Sequence, residues 1–220
     1  MYYTPYRSNS PIEYLVPDFE RMHNHDEVWT NCSVAVSGLD RKLNEVFPFD
    51  CTFLTALDCH KFIKRSTEGE FSIYSSIESM RMHSVKKEVF VESLFDTLNM
   101  KRGKNNVQLV AYNVDHDEDI LKNMFHECGY PYYYDDKNFP NGDGREGPFT
   151  HLTYDLMQVG IRHKAFKLSQ GEFTKVRLVD TARSLGIPVQ ENRLHDARYD
   201  CWLAVQIFRR DQELNYNLAA

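Results

Sequence analysis

The sequence predicts an α/β domain, and three observations support that prediction. Short apolar runs typical of buried strands alternate with longer segments whose apolar residues recur every three or four positions, as in amphipathic helices. Proline, glycine and small polar residues separate these segments. With 220 residues, 42% of them hydrophobic, the chain is long enough to bury a core. We expect one domain over residues 1–220, with its core at about residues 12–210.

Three strands are predicted in the first quarter of the chain. Residues 12–16 form a short apolar run that we expect to end at Pro17, because proline cannot donate a backbone hydrogen bond. Residues 28–36 form the second strand, followed by a turn at residues 37–40. Residues 43–49 are predicted to pair with this strand as a hairpin, since a short turn usually joins antiparallel strands.

Three further segments are predicted to lie outside the sheet. Residues 1–11 contain several tyrosines and two prolines and resemble an extended arm. Residues 50–83 mix apolar and polar stretches, and we interpret them as an insertion of uncertain structure. Residues 129–149 are aromatic and rich in turn-forming residues, which favours a mobile flap or a surface loop. A calcium-binding loop is the weaker alternative there, because the spacing of an EF-hand is absent.

Helices dominate the rest of the prediction. Ser84 is expected to cap a helix over residues 85–98, and residues 107–111 form a further strand. The inward-facing stripe of that helix consists of Val91, Leu94, Phe95 and Leu98. Further helices are predicted at residues 152–159, at residues 175–185 with Gly186 as their stop, and from residue 201 onward.

Composition limits the classes of function. A net charge of −6 argues against a protein that coats nucleic acid through charge alone, but it allows an enzyme with a carboxylate-rich metal site. We expect no membrane span, because no apolar run reaches 18 residues, and no signal peptide, because residues 1–7 have no apolar core. Five cysteines without a CxxC pair predict reduced thiols in a cytosolic protein. A zinc site at Cys51, Cys59 and His60 is an alternative that matches no standard spacing.

Asp18-Phe19-Glu20 follows the first predicted strand directly. In extended chain, residues two apart face the same side, so both carboxylates would point one way while Phe19 points into the core. Adjacent like charges repel each other unless a cation lies between them. The segment therefore predicts either a cation site or a solvated strand end.

Two later segments carry further candidate residues. The strand at residues 107–111 leads into residues 112–121, where Asp115, Asp117 and Asp119 would fall near the start of a helix. Acidic residues are favourable there because of the helix dipole, although one of them could instead bind a metal ion. His195 and Asp200 lie five residues apart at the start of the last predicted helix. This arrangement can direct an imidazole and a carboxylate at one nearby point.

Taken in order, these motifs resemble the DEDDh branch of the DnaQ-like 3′→5′ exonucleases. Asp18-Phe19-Glu20 is similar to the first motif of that family, and residues 111–121 are similar to the second, an alignment that selects Asp117 as the ligand. Residues 178–187 resemble the helix before the third motif, and residues 195–200 resemble that motif itself. The resemblance spans about residues 12–210, and among members of the family it is greatest to phage-encoded proteins of similar size.

The resemblance implies a ribonuclease H-like fold with a mixed five-stranded sheet flanked by helices. It also implies two Mg²⁺ or Mn²⁺ ions, which prefer carboxylate oxygen ligands. In the family pattern Asp18 would bridge the ions, Glu20 and Asp200 would hold the first, and Asp117 would assist the second. His195 would act as the general base, a task for which a near-neutral pKa is suited.

The implied substrate is the 3′ end of single-stranded nucleic acid, with DNA favoured over RNA because of the similarity to phage-encoded members. A phage origin would place the protein in the host cytoplasm. Candidate substrate contacts come from Phe19 through its backbone, Met22, Tyr112 and Asn113. Two departures from the family concern substrate preference. Arg21-Met22 replaces a small pair that often follows the first motif, and Tyr112 and His116 replace the common His and Phe.

Two alternatives remain open at the level of sequence. The first is an RNA-trimming exoribonuclease of the same fold, because nothing in the sequence indicates a contact to a 2′-hydroxyl group. The second is a catalytically silent DnaQ-like module that binds nucleic acid or a protein. The retention of four carboxylates and one histidine argues against the silent module, since such a module has no need for mutually repelling acids. The sequence does not indicate an oligomeric state.

Overall fold

The structure is a computed structural model that describes residues 10–68, 73–101, 106–136, 146–168 and 176–218. Most of the predicted N-terminal arm and the centre of the predicted flap at residues 129–149 lie outside these ranges. Five strands form one sheet in the order β3-β2-β1-β4-β5, in which β1–β2 and β2–β3 are antiparallel and the other pairs are parallel. This confirms the mixed five-stranded sheet. The strands are β1 (Tyr14–His23), β2 (Trp29–Leu39), β3 (Glu45–Thr52), β4 (Val107–Ala111) and β5 (Phe149–Asp155).

Seven described helices cover the sheet, and two short 3-10 turns connect them. The helices are α1 (His60–Glu68), α2 (Ile77–His83), α3 (Lys87–Lys101), α4 (Val114–Glu127), α5 (Leu156–Leu168), α6 (Leu178–Ser184) and α7 (Ala197–Leu218). The 3-10 turns are Leu54–Asp58 and Glu191–Arg193. No helix within the described ranges has both the length and the apolar character that crossing a bilayer would require.

Two hydrophobic cores lie on opposite faces of the sheet. On one face α3 and α4 pack aromatic residues such as Phe90 and Phe125 against the strands. On the other face the apolar stripes of α5, α6 and α7 bury Leu203 and Phe208 against Val16 of β1 and Val110 of β4. Burial on both faces explains why β1 and β4 read as continuous apolar runs in the sequence.

The prediction that β1 ends at Pro17 is wrong, because the strand continues to His23. Strand β4 pairs with β1 only at Tyr14 and Leu15, so β1 has an edge beyond that point to which no strand in the described ranges pairs, here called the free edge. The backbone N–H of Phe19 points to this free edge, where it donates to Asp117. In a strand, the N–H groups of residues two apart point to the same edge. The N–H that Pro17 lacks would therefore point to the same edge as the N–H of Phe19, where no strand is paired, so the proline removes no hydrogen bond between strands.

Other boundaries also differ from the prediction. Strand β2 runs to Leu39, and the turn lies at residues 40–44, where Asp40 Oδ1 accepts the backbone N–H groups of Lys42 and Asn44. Ser84 ends α2 instead of capping α3, and its hydroxyl donates to the carbonyl of Met80. The helix predicted from residue 152 begins only at Leu156, because the preceding residues belong to β5.

The segment predicted as an uncertain insertion, residues 50–83, completes β3 and then forms α1 and α2 where it is described. Phe62 and Met80 from these helices bury a small separate core together with Cys32 and Cys59. Near the second predicted insertion, Tyr132 is fully buried and stacks on Phe149 of β5. The described ends of that segment are therefore packed into the main core. All five cysteines are free thiols, as predicted.

Gly160 of α5 allows α6 to approach closely. A Cβ atom at this position would collide with Thr181 Oγ1 and lie 2.6 Å from Val176 Cγ1. We expect Gly160→Ala to lower the free energy of unfolding by about 1–3 kcal/mol through overpacking. Thermal or urea unfolding measures this loss. The Gly160→Ala, Thr181→Ala double variant should lose less than the sum of the single variants, and strict additivity would contradict the collision.

Candidate active site

The first part of the candidate site lies on β1, beyond its last pair with β4. Asp18 and Glu20 alternate with Phe19, which packs into the core against Phe90. Glu20 retains only 8% of its accessible surface, and Asp18 is partly buried. The strand geometry therefore directs both carboxylates to the face opposite Phe19, as the sequence predicts.

The second part comes from the start of α4, next to the free edge of β1. Asp117 is 8% exposed, and it accepts the backbone N–H of Phe19. Its neighbours Asp115 and Asp119 are exposed, so the helix turns only Asp117 toward β1. The turn into α4 is held by Asp155 at the end of β5, whose Oδ1 accepts the N–H of Asn113 at 2.9 Å.

The third part is the turn into α7. Asp200 lies in the first turn of this helix, and its Oδ2 accepts the backbone N–H of His195 at 3.0 Å. His195 adopts a left-handed backbone conformation with φ of 67°, which is costly for a residue with a side chain. Tyr199 stabilises the same turn, because its hydroxyl accepts the N–H of Gln190 at 2.6 Å. The imidazole of His195 remains exposed to solvent.

These three parts converge on one point. Ligand-capable atoms of Glu20, His195 and Asp200 all lie within 4.8 Å of one another. Asp18 experiences the negative charges of Asp117, Asp200 and Glu20, so it lies among the other three carboxylates. The fold thus brings together five residues that are separated by up to 182 positions in the sequence.

The cluster is electrostatically unfavourable while it holds no cation. Removal from water raises the pKa of Asp117 and of Glu20 to about 7, and the Arg65 guanidinium only partly offsets this for Glu20. Burial, together with the neighbouring carboxylates, raises the pKa of Asp18 well above its ordinary value. Burial also raises the pKa of Asp200, although the hydrogen bond from His195 opposes that change. Each carboxylate would therefore be stabilised by a positive charge.

Arg65 is a site residue that the sequence analysis missed. Its guanidinium lies 3.3 Å from Glu20 Oε2 and packs over the ring of Phe62. Arg65 belongs to α1, in the segment whose structure was uncertain, and no motif indicates that this helix returns to the end of β1. It provides the cluster with one positive charge, which is too little for four carboxylates.

The residues present fit a divalent metal ion. The Oδ1 atom of Asp200 is buried and accepts no hydrogen bond from any described residue, which leaves it available to a metal ion. Hard divalent ions such as Mg²⁺ and Mn²⁺ prefer carboxylate oxygens of this kind. The alternative zinc site is not formed, because Cys51 packs in the main core and Cys59 in the small core around Phe62.

The other predicted contact residues occupy different surroundings. Met22 packs partly buried against the small core around Phe62. The hydroxyl of Tyr112 lies 3.3 Å from Thr181 Oγ1, and its ring packs against the core of α6 and α7. Asn113 is exposed and, like His195, adopts a left-handed conformation. Their contacts with a substrate stay predictions, as does that of the Phe19 backbone.

Solved structures share this fold at low sequence identity. No protein-family model matches the sequence, and no curated protein sequence matches it. A solved structure of exonuclease I superposes with a TM-score of 0.58 at 15% identity, over 90% of this chain and 40% of that one. E. coli exonuclease I in complex with a dT13 oligonucleotide gives 0.56 at 15% identity, over 93% and 43%.

The zinc ion bound form of the E. coli ExoI–ssDNA complex gives a TM-score of 0.55 at 15% identity, over 89% of this chain and 39% of that one. The chain thus spans about two fifths of the length of these proteins. At this identity the likeness establishes the fold, and it confirms the ribonuclease H-like architecture that the sequence resemblance implies.

Removing one carboxylate should stabilise the metal-free protein. We expect Asp18→Asn to raise the melting temperature in EDTA at pH 8, because it relieves repulsion and the desolvation of a charge. As a control, Asp211→Asn should lower it, because Asp211 is a buried carboxylate that Arg162 holds at 3.1 Å. Differential scanning calorimetry measures both changes. A lower melting temperature for Asp18→Asn would show that the cluster is not strained.

The stabilisation by Asp18→Asn should depend on pH. The folded protein binds protons on this cluster more tightly than the unfolded chain, because the carboxyl pKa values are raised on folding. The contribution of this cluster to the free energy of unfolding of the metal-free wild type therefore falls as pH rises from about 4 to about 7. The advantage of the variant should be small at pH 5 and full at pH 8, and equal advantages would contradict the assignment.

Proposed function

We propose that this protein is a metal-dependent 3′→5′ exonuclease that hydrolyses single-stranded nucleic acid to nucleoside 5′-monophosphates. The observation that carries the proposal is the convergence of five residues at the free edge of β1, within a fold similar to that of exonuclease I. These residues are Asp18, Glu20, Asp117, His195 and Asp200. The order and types of the residues match the DEDDh motifs, and the buried, repelling carboxylates match a cation site.

Asp18, Glu20, Asp117 and Asp200 would hold two Mg²⁺ or Mn²⁺ ions. When bound, such ions activate the attacking water and stabilise negative charge on the leaving 3′-oxygen. The chain's own contribution to the proton transfer comes from His195. Its backbone is fixed by the hydrogen bond to Asp200, while its imidazole is exposed where a water molecule can reach it.

The reaction forms one bond and breaks another. The oxygen of water attacks the terminal phosphorus, the proton of that water passes to the imidazole of His195, and the bond between phosphorus and the 3′-oxygen breaks. The leaving 3′-oxygen takes up a proton from solvent, and the products are a nucleoside 5′-monophosphate and a strand that is shorter by one residue, with a new 3′-hydroxyl group. The His195 backbone, fixed by its hydrogen bond to Asp200, positions the imidazole before the substrate arrives.

Single-stranded DNA is the proposed substrate. Structures with a similar fold include complexes of E. coli exonuclease I with dT13 and dA16 oligonucleotides, and the sequence resemblance points to phage-encoded DNA nucleases. The net charge of −6 indicates that binding rests on a local site instead of the whole surface.

Digestion of a 5′-labelled single-stranded DNA oligomer tests the proposal. With Mg²⁺ or Mn²⁺ we expect a ladder that shortens from the 3′ end, and we expect no cleavage in EDTA or with Asp200→Asn. Asp211→Asn serves as the control, because Asp211 is an equally buried carboxylate outside the cluster. Cleavage of RNA but not of DNA would indicate that the protein is an exoribonuclease instead. Cleavage of neither would indicate a silent binding module.

Replacement of His195 separates the roles of base and ligand. We expect His195→Ala to lower the turnover number by about 10²- to 10⁴-fold. Calorimetric titration with Mn²⁺ should give wild-type affinity, because the four carboxylates remain. His151→Ala is the matched control, since His151 is an exposed histidine beside Asp135, away from the cluster. Normal turnover in His195→Ala would exclude His195 as the general base, and loss of Mn²⁺ binding would show that its imidazole is a metal ligand.

A further inference from the structure

A groove of about 660 Å³ opens beside the candidate active site, on the face of β1 opposite the carboxylates. It lies between the β1–β2 hairpin, the start of α3 and the length of α4 from His116 to Glu127. Its walls include Arg21, Trp29, Asn31, Lys86, His116 and Ile120. The groove is large enough for a small ligand or a segment of a polymer, and the site described above does not use it.

The hairpin that forms one wall extends beyond the rest of the sheet. Strand β3 pairs with β2 only from Ser33 onward, so the last residues of β1 pair with β2 alone. A register shift between Glu20 and Arg21 separates this extension from the catalytic part of the strand. Arg21 pairs with Asn31 and His23 with Trp29, which places these four side chains on one face of the hairpin.

Trp29 is the most prominent feature of this face. It is 56% exposed, although an indole of this size usually buries most of its surface. The ring of His23 lies 4.1 Å from it, and the guanidinium carbon of Arg21 lies 5.8 Å from its centroid. These neighbours hold the indole in place and leave more than half of it open to solvent. An aromatic ring presented in this way is a surface on which a nucleobase can stack.

Two cations in the groove have no anionic partner. Neither Arg21 nor Lys86 forms an ion pair with any residue in the described ranges, and Arg21 Nε is buried without a hydrogen-bond acceptor. Their neighbour Lys87, by contrast, is paired with Glu127. Phosphate oxygens would supply the missing partners of Arg21 and Lys86. Because Glu88 and Asp119 also line the groove, its charge is balanced, and stacking should contribute more than charge.

The groove and the candidate active site share two structural elements, although none of the five site residues lines the groove. Arg21 directly follows Glu20 on β1, and His116 is adjacent to Asp117 on α4. A strand whose 3′-terminal phosphate lies at the carboxylates would reach the groove by passing around the edge of β1, between the hairpin and α4. We infer that this groove binds single-stranded nucleic acid just behind its terminal nucleotide, with a base stacked on Trp29 and phosphates held by Arg21 and Lys86. The position along the strand rests on the proposed exonuclease function, whereas binding itself does not.

Tryptophan fluorescence tests the binding directly, because the chain contains only two tryptophans. Trp202→Phe leaves Trp29 as the sole tryptophan. Trp29→Phe leaves Trp202, which is 42% exposed on α7 and stacks on Tyr199. On titration with a 12-residue oligothymidylate in EDTA, where no cleavage occurs, we expect saturable quenching in Trp202→Phe and none in Trp29→Phe. No quenching of Trp29, or equal quenching of both tryptophans, would overturn the inference.

Kinetics on two substrates separates the groove from the catalytic site. We expect Trp29→Ala to lower kcat/KM on the oligothymidylate by about 10-fold, in line with the loss of one stacked base. Hydrolysis of the p-nitrophenyl ester of thymidine 5′-monophosphate should be unchanged, because this substrate has only one nucleotide. Trp202→Phe, which keeps an aromatic ring against Tyr199, should leave both rates unchanged. Equal rates of Trp29→Ala and wild type on both substrates would overturn the inference.

The two proposals fail in different ways. If the wild type cleaves neither substrate while Trp29 is still quenched by oligothymidylate, the exonuclease is refuted and the groove is retained as a binding site. If the wild type cleaves both substrates while Trp29 shows no quenching and no kinetic role, the exonuclease is retained and the groove is refuted.

Discussion

The free edge of β1 is the constraint on which the candidate site depends. Because β4 pairs with β1 only at Tyr14 and Leu15, the backbone beyond that point is open to other partners. Asp117 accepts the N–H of Phe19 at this edge, and the carboxylates of Asp18 and Glu20 project beside it. Full pairing with β4 would exclude Asp117, and the four acids could not meet. The resulting repulsion is a cost to stability that a bound cation would offset.

Much of the fold could be predicted from the sequence because its elements have strong local signals. The apolar run of β4 and the stripe of α3 were located well, since both depend on residues close in sequence. The errors arose where tertiary contacts override local preference. Pro17 reads as a strand end, yet it lies in mid-strand because the neighbouring edge is free. Residues 152–155 read as helical but pair with β4 instead.

The candidate site likewise contains residues that the sequence predicts and residues that it does not. The five motif residues could be predicted because the order and spacing of the motifs can be recognised in the sequence without knowledge of the fold. Arg65 and Trp29 could not be predicted, because only the folded structure shows which residues they lie beside. Arg65 reaches Glu20 only after α1 has packed onto its own small core, and Trp29 faces the groove only through the hairpin register. Met22, a predicted contact, faces away from the groove for the same reason, since it alternates with Arg21.

We propose that the converging carboxylates bind divalent cations. Isothermal titration of Mn²⁺ into metal-free wild type and into Asp18→Asn tests this proposal, because it requires neither a substrate nor turnover. We expect saturable binding to the wild type with a rise in melting temperature, and a large loss of affinity in the variant. Equal affinity in the two proteins, or no binding to the wild type, would contradict the assignment of a metal centre.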